Sequence, residues 1–256
     1  MKKLFDLTGK VALVTGASSG MGKAIAEAMG AYGAKVVISS NDIEGCHKTA
    51  QLFDNQGITS LAMPCDMSKT AEIDALFKSV IAHFGKIDIL VSCVGMAVPN
   101  GFLAINAHAF EKMMGLNVVS ACHLTQLVLP QMVERKDGVL IYLASIASVR
   151  GNKNIGLYGI SKASLVQLAR NLAVEFGSSN IRANAISPGL IDTPFSKSLM
   201  ENEGFMEKRL ALTPLRRVGT PEEIAGVAVM LASKAGAFIT GQNIIVDGGT
   251  TISDGN

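Results

Sequence analysis

Lys10-Val11-Ala12-Leu13-Val14-Thr15-Gly16-Ala17-Ser18-Ser19-Gly20-Met21-Gly22 is the stretch that decides the fold. Its first six residues form a short, largely β-branched run of the kind that fills a strand buried on both faces. Three glycines follow at once and lead into the amphipathic stretch Lys23–Ala31, so the pattern reads strand, tight turn, helix. Such a turn lets the backbone approach a pyrophosphate, and the helix behind it offers free N–H groups and the positive end of its dipole. In a chain with 26 glycines the spacing alone is a weak signal. The flanking strand and helix favour nucleotide binding over a bare turn.

The same alternation continues outward. Lys10–Thr15, Lys35–Ser39, Ser60–Pro64, Ile87–Cys93, Gly138–Ala144, Arg182–Ser187 and Asn243–Asp247 each read as a buried strand, with helical patterns between them. Seven strands linked by crossovers predict an α/β fold, a doubly wound parallel sheet with helices on both faces. No Pro-, Ser- or charge-rich linker interrupts the 256 residues, so one domain over 1–256 is expected. Thr193 to Thr213 is longer than a connection needs and carries a polar and Met/Phe helical pattern, which suggests a substrate lid.

Composition narrows the partners. Hydrophobic residues make up 48% and charged residues 17%, enough apolar surface for a large core. With 23 basic against 21 acidic residues and no basic block, the net charge of +2 argues against nucleic acid or an anionic membrane. Cys46, Cys65, Cys93 and Cys122 lack C-x-x-C spacing and stand in apolar stretches, so neither a disulfide framework nor a metal site is expected. Met1-Lys2-Lys3-Leu4-Phe5-Asp6-Leu7 lacks a secretory h-region, and no later apolar run reaches spanning length without a charge or Gly. A soluble cytoplasmic protein is the expectation.

A second constellation lies on the helical stretch Leu157–Phe176. Leu165, Leu168, Ala169, Leu172, Ala173 and Phe176 recur every three or four residues, and the stripe carried back includes Tyr158 and Lys162. A lysine on a core-facing stripe needs a partner or a task, because an unpaired buried ammonium is strongly unfavourable. An isolated Y-x-x-x-K is more simply a snorkelling lysine beside a packed ring. Here, however, the helix starts at the carboxyl end of the sheet, where open α/β sheets bind ligands, and Ser145 closes the preceding strand.

With these residues in place, the chain resembles the short-chain dehydrogenase/reductase family, in its compact single-domain branch, over nearly its whole length. The resemblance rests on T-G-x-x-x-G-x-G at 15–22, Asp66 after the third strand, Asn117 in the fourth helix, Ser145, and Tyr158-Gly159-Ile160-Ser161-Lys162. Ser187 to Pro194 and Val246-Asp247-Gly248-Gly249 complete it, with Ser145 and Tyr158 thirteen residues apart. The resemblance implies an NAD(P)-dependent oxidoreductase with Tyr158 as acid/base and Ser145 orienting the substrate oxygen. Lys162 would hold the nicotinamide ribose and lower the Tyr158 pKa, and Asn117 would support a water leading toward Lys162. It also implies that Gly16, Ser18, Ser19, Gly20, Met21 and Gly22 lie along the phosphates, Asp66 and Met67 near adenine, and Ile191 and Thr193, after Pro188-Gly189, at the carboxamide. Cys93 and Gly95 belong to the same cofactor set. One departure is plain: Ser92-Cys93-Val94-Gly95 stands where the family usually has N-N-A-G, and Cys replaces an amide poorly as a hydrogen-bonding group.

Cofactor choice turns on the end of the second strand. An acid there accepts from the ribose 2′-OH of NAD and repels a 2′-phosphate. This chain has neutral Ser40 followed by Asn41, which tips the expectation toward NADP(H) by removing repulsion, with NAD(H) remaining open. Asn41 also reads as a helix N-cap, with Glu44 completing a capping box.

Met96, Ala97, Val98, Ile146, Ala147, Phe195, Leu199, Met200, Phe205 and Met206 form the candidate substrate wall, apolar and rich in flexible Met. It suits an uncharged, fairly hydrophobic ketone or secondary alcohol. Two alternatives stand beside that reading. A 3-oxoacyl-carrier-protein reductase would need a basic docking patch, for which Arg150, Lys153, Arg216 and Arg217 are scattered candidates. A nucleotide-sensing scaffold would have lost Ser145, Tyr158 or Lys162, and all three are present. The resemblance further implies a homotetramer or homodimer built through the helices around 106–133 and 156–177.

Overall fold

Val11 and Leu13 leave one face of strand β1 (Val11–Thr15), and Ala12 and Val14 leave the other, because successive side chains of a strand alternate. Each set enters a separate hydrophobic core. The computed structural model describes residues 2–99 and 101–253. β1 is followed by β2 (Lys35–Ser39), β3 (Ser60–Ala62), β4 (Ile89–Ser92), β5 (Gly138–Leu143), β6 (Ile181–Pro188) and β7 (Asn243–Val246). They form one sheet in the order β3-β2-β1-β4-β5-β6-β7, all pairs parallel, as the alternation predicts.

Helices α1 (Gly20–Ala31) and α9 (Pro221–Ala232) cover one face, closing the core of Ala12, Val14, Ile25, Met29 and Ile224. Helices α3 (Thr70–Phe84), α5 (Ser120–Arg135) and α6 (Gly156–Phe176) cover the other, around Leu13, Leu76, Leu124, Tyr142 and Leu165. The remaining helices are α2 (Ile43–Asn55), α4 (Ala107–Met114), α7 (Lys197–Met200) and α8 (Glu203–Ala211). A π turn, Gly115–Val119, joins α4 to α5. Together these span Ala107–Arg135, long and apolar enough by length and composition to cross a bilayer. Leu124, Val128 and Met132 of that span are buried in the core against the sheet.

Most strand ends fall within one or two residues of the sequence reading. β3 stops at Ala62 rather than Pro64, consistent with the missing N–H of proline, and β4 starts at Ile89 rather than Ile87. The expected cap of α2 is corrected: Asp42, not Asn41, caps it, with Oδ1 accepting from Gly45 N at 2.9 Å. A carboxylate one residue later reaches the first-turn amides that Asn41 would have served. The segment 193–213 contains α7 and α8.

Candidate active site

The sheet order reverses direction between β1 and β4, and the crevice beyond their carboxyl ends is the switch point where doubly wound sheets take ligands. Thr15 ties the two ends together. Its hydroxyl donates to Val91 O at 3.4 Å and accepts from Cys93 N at 3.1 Å. The turn that follows has no room for side chains: a Cβ on Gly22 would lie 2.2 Å from Gly16 O. Gly16 itself has φ +67° and packs its α-carbon against the Cys93 carbonyl. Ser19 caps α1 in extended conformation without a side-chain bond to the first turn.

Ser40 lies at the mouth of this crevice, nearly buried. Its hydroxyl accepts from Ser18 Oγ at 3.0 Å and from Asp42 N at 3.2 Å. The glycine turn and the end of β2 are therefore joined by a hydroxyl pair, with Asn41 exposed beside it.

On the far side, α6 carries Tyr158 and Lys162 one turn apart. Lys162 is 4% exposed, and its Nζ donates to Leu143 O at 2.8 Å and sits 5.7 Å from the Tyr158 ring centre. That is the partner a buried lysine requires. Burial pulls the Lys162 ammonium down to about 8, opposed by Cys93. Burial also pushes the Tyr158 phenol up to about 12, with a Ser145 hydrogen bond opposing and Cys93 adding to the rise. Without the dinucleotide, burial is the leading influence on this phenol.

Asn117 stands in the π turn and is fully engaged. Its Oδ1 accepts from Met96 N at 2.8 Å, and its Nδ2 donates to Met96 O and to Ser161 Oγ, each at 2.9 Å. Ser161 Oγ donates in turn to Tyr158 O at 2.8 Å. The amide thus braces the loop after β4 against α6. A Cβ on Gly95 would lie 2.9 Å from Lys162 Nζ and 3.5 Å from Asn117 Oδ1, so glycine there lets the three groups close up.

Gly16, Ser18, Ser19, Gly20, Met21, Gly22, Ser40, Asn41, Cys93, Gly95, Tyr158, Lys162 and Thr193 line one cavity of about 370 Å³. Asp42, Val94, Leu143, Ala144, Pro194 and Phe195 complete its wall. Ser145 reaches it through its bond to Tyr158 and caps the short turn Ile146–Ser148, accepting from Ala147 N at 3.1 Å. Asp66 and Met67 lie outside that wall. The Asp66 carboxylate turns back on Ser68, accepting from its N at 2.9 Å and its Oγ at 2.7 Å, and these bonds hold it below its usual pKa. Met67 instead lines a second depression with His108 and His123. Pro188 closes β6, Gly189 presses on the Asp247 backbone, and Ile191 lines a separate small cavity.

Sequence reasoning missed Thr15 and Ser161. Thr15 opens the glycine motif and Ser161 is the residue before Lys162, so position could have found both.

A dinucleotide fits this arrangement. Gly22 has no room for a methyl group and Gly16 turns at positive φ, which keeps the backbone here open to a pyrophosphate, and the uncapped start of α1 supplies amides and dipole.

Over residues 16–251 the chain matches the family profile described as enoyl-(acyl carrier protein) reductase. It is 36% identical over 254 residues to a tropinone reductase homolog of Arabidopsis thaliana, covering 99% of this chain and 98% of the relative. The structure superposes with a TM-score of 0.94 on 7α-hydroxysteroid dehydrogenase complexed with NADH and 7-oxo glycochenodeoxycholic acid, 36% identical and covering 97% of each chain. It superposes equally, at 0.94, on a gluconate 5-dehydrogenase from Burkholderia cenocepacia J2315 in complex with NADP and tartrate, 28% identical and covering 98% of this chain and 99% of that one.

A doubly wound sheet with a glycine turn at its switch point and a Ser, Tyr, Lys set across the crevice defines a dinucleotide-dependent oxidoreductase. With these matches, the chain belongs to the short-chain dehydrogenase/reductase family, and its cofactor is a nicotinamide dinucleotide.

Proposed function

We propose that the protein interconverts a hydrophobic ketone and its secondary alcohol, with Tyr158 as the acid/base and NADP(H) as the favoured cofactor. The observation that carries this reading is the convergence of Tyr158, hydrogen-bonded by Ser145, with Lys162 and Phe195 in the cavity that the glycine turn also lines. The Phe195 ring lies 6.4 Å from that of Tyr158, and Phe195 is 56% exposed toward whatever enters. When bound, the dinucleotide would supply or accept the hydride.

The chain's own residues handle the proton. A phenol held neutral by burial is the form that donates to a carbonyl oxygen, and the Ser145 hydroxyl orients that oxygen by hydrogen bonding. Lys162, fixed on Leu143 O, presents its remaining donors toward the ribose hydroxyls. Asn117 positions rather than reacts, through Met96 and Ser161. The segment 193–213 acts as the lid over this wall.

Ser40 carries the cofactor reading. A neutral hydroxyl there leaves a 2′-phosphate unrepelled, with Ser18 and Asn41 as donors. Of the four docking cations the acyl-carrier alternative would use, three are engaged or half-buried and Lys153 is exposed. Arg217 pairs with Glu223 at 2.6 Å, Arg216 folds onto the carbonyls of Leu210 and Ala211, and Arg150 is half-buried. A panel of ketones and alcohols, assayed by nicotinamide absorbance with NADPH and with NADH, tests the proposal. Turnover of apolar ketones supports it, and activity confined to acyl-carrier thioesters overturns it.

A further inference from the structure

The turn of α6 that carries Tyr158 and Lys162 is seated by the residues between and around them. Gly159 seats it by lacking a side chain: a Cβ there would lie 2.8 Å from Ala147 O, in the short turn that Ser145 caps. Lys162 is tied to Leu143 O. Ile160 is exposed and offers the turn no anchor. Ser161 is fully buried, and its hydroxyl joins the backbone of Tyr158 to another element.

Serine is a costly choice at such a position. Alanine is the better helix former and hides no polar atom on a buried stripe. Neighbouring hydroxyls settle within their own helices: Ser120 Oγ donates to Leu116 O at 2.6 Å and Ser164 Oγ to Ile160 O at 3.1 Å, each four residues back. Ser161 Oγ instead donates three residues back, to Tyr158 O at 2.8 Å, and accepts from Asn117 Nδ2 at 2.9 Å. Asn117 also donates to Met96 O and accepts from Met96 N, so a continuous series of hydrogen bonds runs from the loop after β4 to the main chain of Tyr158. Asn117 and Ser161 are both buried. Removing the Ser161 hydroxyl therefore orphans an Asn117 N–H away from water and releases Tyr158 O from its tie to the loop.

We infer that Ser161 is a positioning residue for the proposed reaction. Its hydroxyl locks the main chain of Tyr158, through Asn117, to the loop that carries Met96 of the candidate substrate wall, and so sets where the phenol stands against that wall. The inference rests on the carbonyl/alcohol reading of the cavity and adds to it a residue that acts through Tyr158. Its effect belongs in kcat. Proton transfer needs the phenol within hydrogen-bond reach of the reacting oxygen, whereas the groups that bind the dinucleotide stay in place when the phenol shifts.

Ser161→Ala removes the hydroxyl and adds no bulk, and Ser161→Cys keeps the volume with only a weak donor. Either variant is expected to lower kcat about tenfold or more, with the ketone KM and dinucleotide Kd within about twofold of wild type. The chain has three tyrosines, so isotope labelling at the tyrosine Cζ distinguishes Tyr158 from Tyr32 and Tyr142 by NMR, with Tyr158→Phe assigning the signal. In the ligand-free variants the Tyr158 signal should move while that of Tyr142, buried on β5, keeps its wild-type position. An unchanged kcat, a loss that falls in KM instead, or an unmoved Tyr158 signal overturns the inference. So does a displacement of all three tyrosine signals alike, or failure of both variants to fold, since either marks a general structural role. If wild type turns over no ketone or alcohol, the catalytic reading fails and the spectra decide by themselves: a Tyr158 signal that moves alone upholds Ser161 as the anchor of that residue, and an unmoved one overturns it.

Discussion

Asn117 closes a two-bond ring with the backbone of Met96, accepting from its N–H and donating to its C=O, while the same amide nitrogen reaches Ser161. One side chain thus fixes the loop after β4 to the helix that carries Tyr158 and Lys162. Asn117→Ala orphans these buried groups, at about 1–3 kcal/mol. Thermal melting should show a drop of several degrees, and kcat should fall more than KM rises. An unchanged melting temperature would show that Asn117 does not brace this loop.

Tyr158→Phe should cost about 10²–10⁴-fold in kcat, the usual worth of a positioned acid, while dinucleotide affinity measured by fluorescence titration stays within about twofold of wild type. Near-full activity in the purified variant would sink the proposed acid/base role.

The lowered pKa of Lys162 sets a pH window. Below about 8 the residue is charged in both folded and unfolded chains, so the folded state bears the whole burial cost. Between about 8 and the ordinary lysine value of 10.5 the folded state has released the proton, and the cost shrinks. Lys162→Met should therefore stabilise the ligand-free protein most below pH 8, relative to its effect at pH 10.5, superposed on a constant loss from Leu143 O. A wild-type-minus-variant melting difference that is flat from pH 7 to 10.5 contradicts this.

Ser40→Asp should shift cofactor preference toward NAD(H) by at least tenfold, about 1.4 kcal/mol. The new carboxylate would repel a 2′-phosphate and accept from a 2′-hydroxyl. The ratio of kcat/KM with NADPH and NADH reads the change. If wild type already uses NADH tenfold better, Ser40 does not carry the choice.

Exposed apolar side chains mark the faces of α4 to α6. Phe110 is 43%, Val119 61%, Ile160 46% and Val174 88% exposed. We expect these helices to pair in a homodimer or homotetramer, and Val119→Glu combined with Val174→Glu to shift the mass measured by light scattering toward the monomer. A monomeric wild type at micromolar concentration, on the order of 10⁻⁶ M, would refute it.

Strand identity was most legible where β1, β4 and β5 are buried along their whole length and so read as largely apolar runs. The glycine turn and the Tyr158-Lys162 pair were legible because spacing and position coincide. The protonation of Tyr158 was not, since it depends on how deeply a cavity desolvates the phenol, and no local pattern encodes that. Asp66 was placed near adenine by resemblance, and the structure adds that Ser68 two residues on holds its Oδ1. The α2 cap was misread for a related reason. Asn41 and Asp42 both can cap, and only the backbone path settles which one does.

The π turn at Gly115–Val119 carries one residue more per turn than the α-helix on either side of it. Since each α-helical residue turns the axis by about 100°, this extra residue sets the rotational phase between α4 and α5. The π turn itself holds Asn117 against Met96, while α5 beyond it buries Leu124 and Val128. A single-residue deletion within Gly115–Val119 would rephase the two helices as rigid bodies, and no substitution elsewhere in the span could restore both alignments at once.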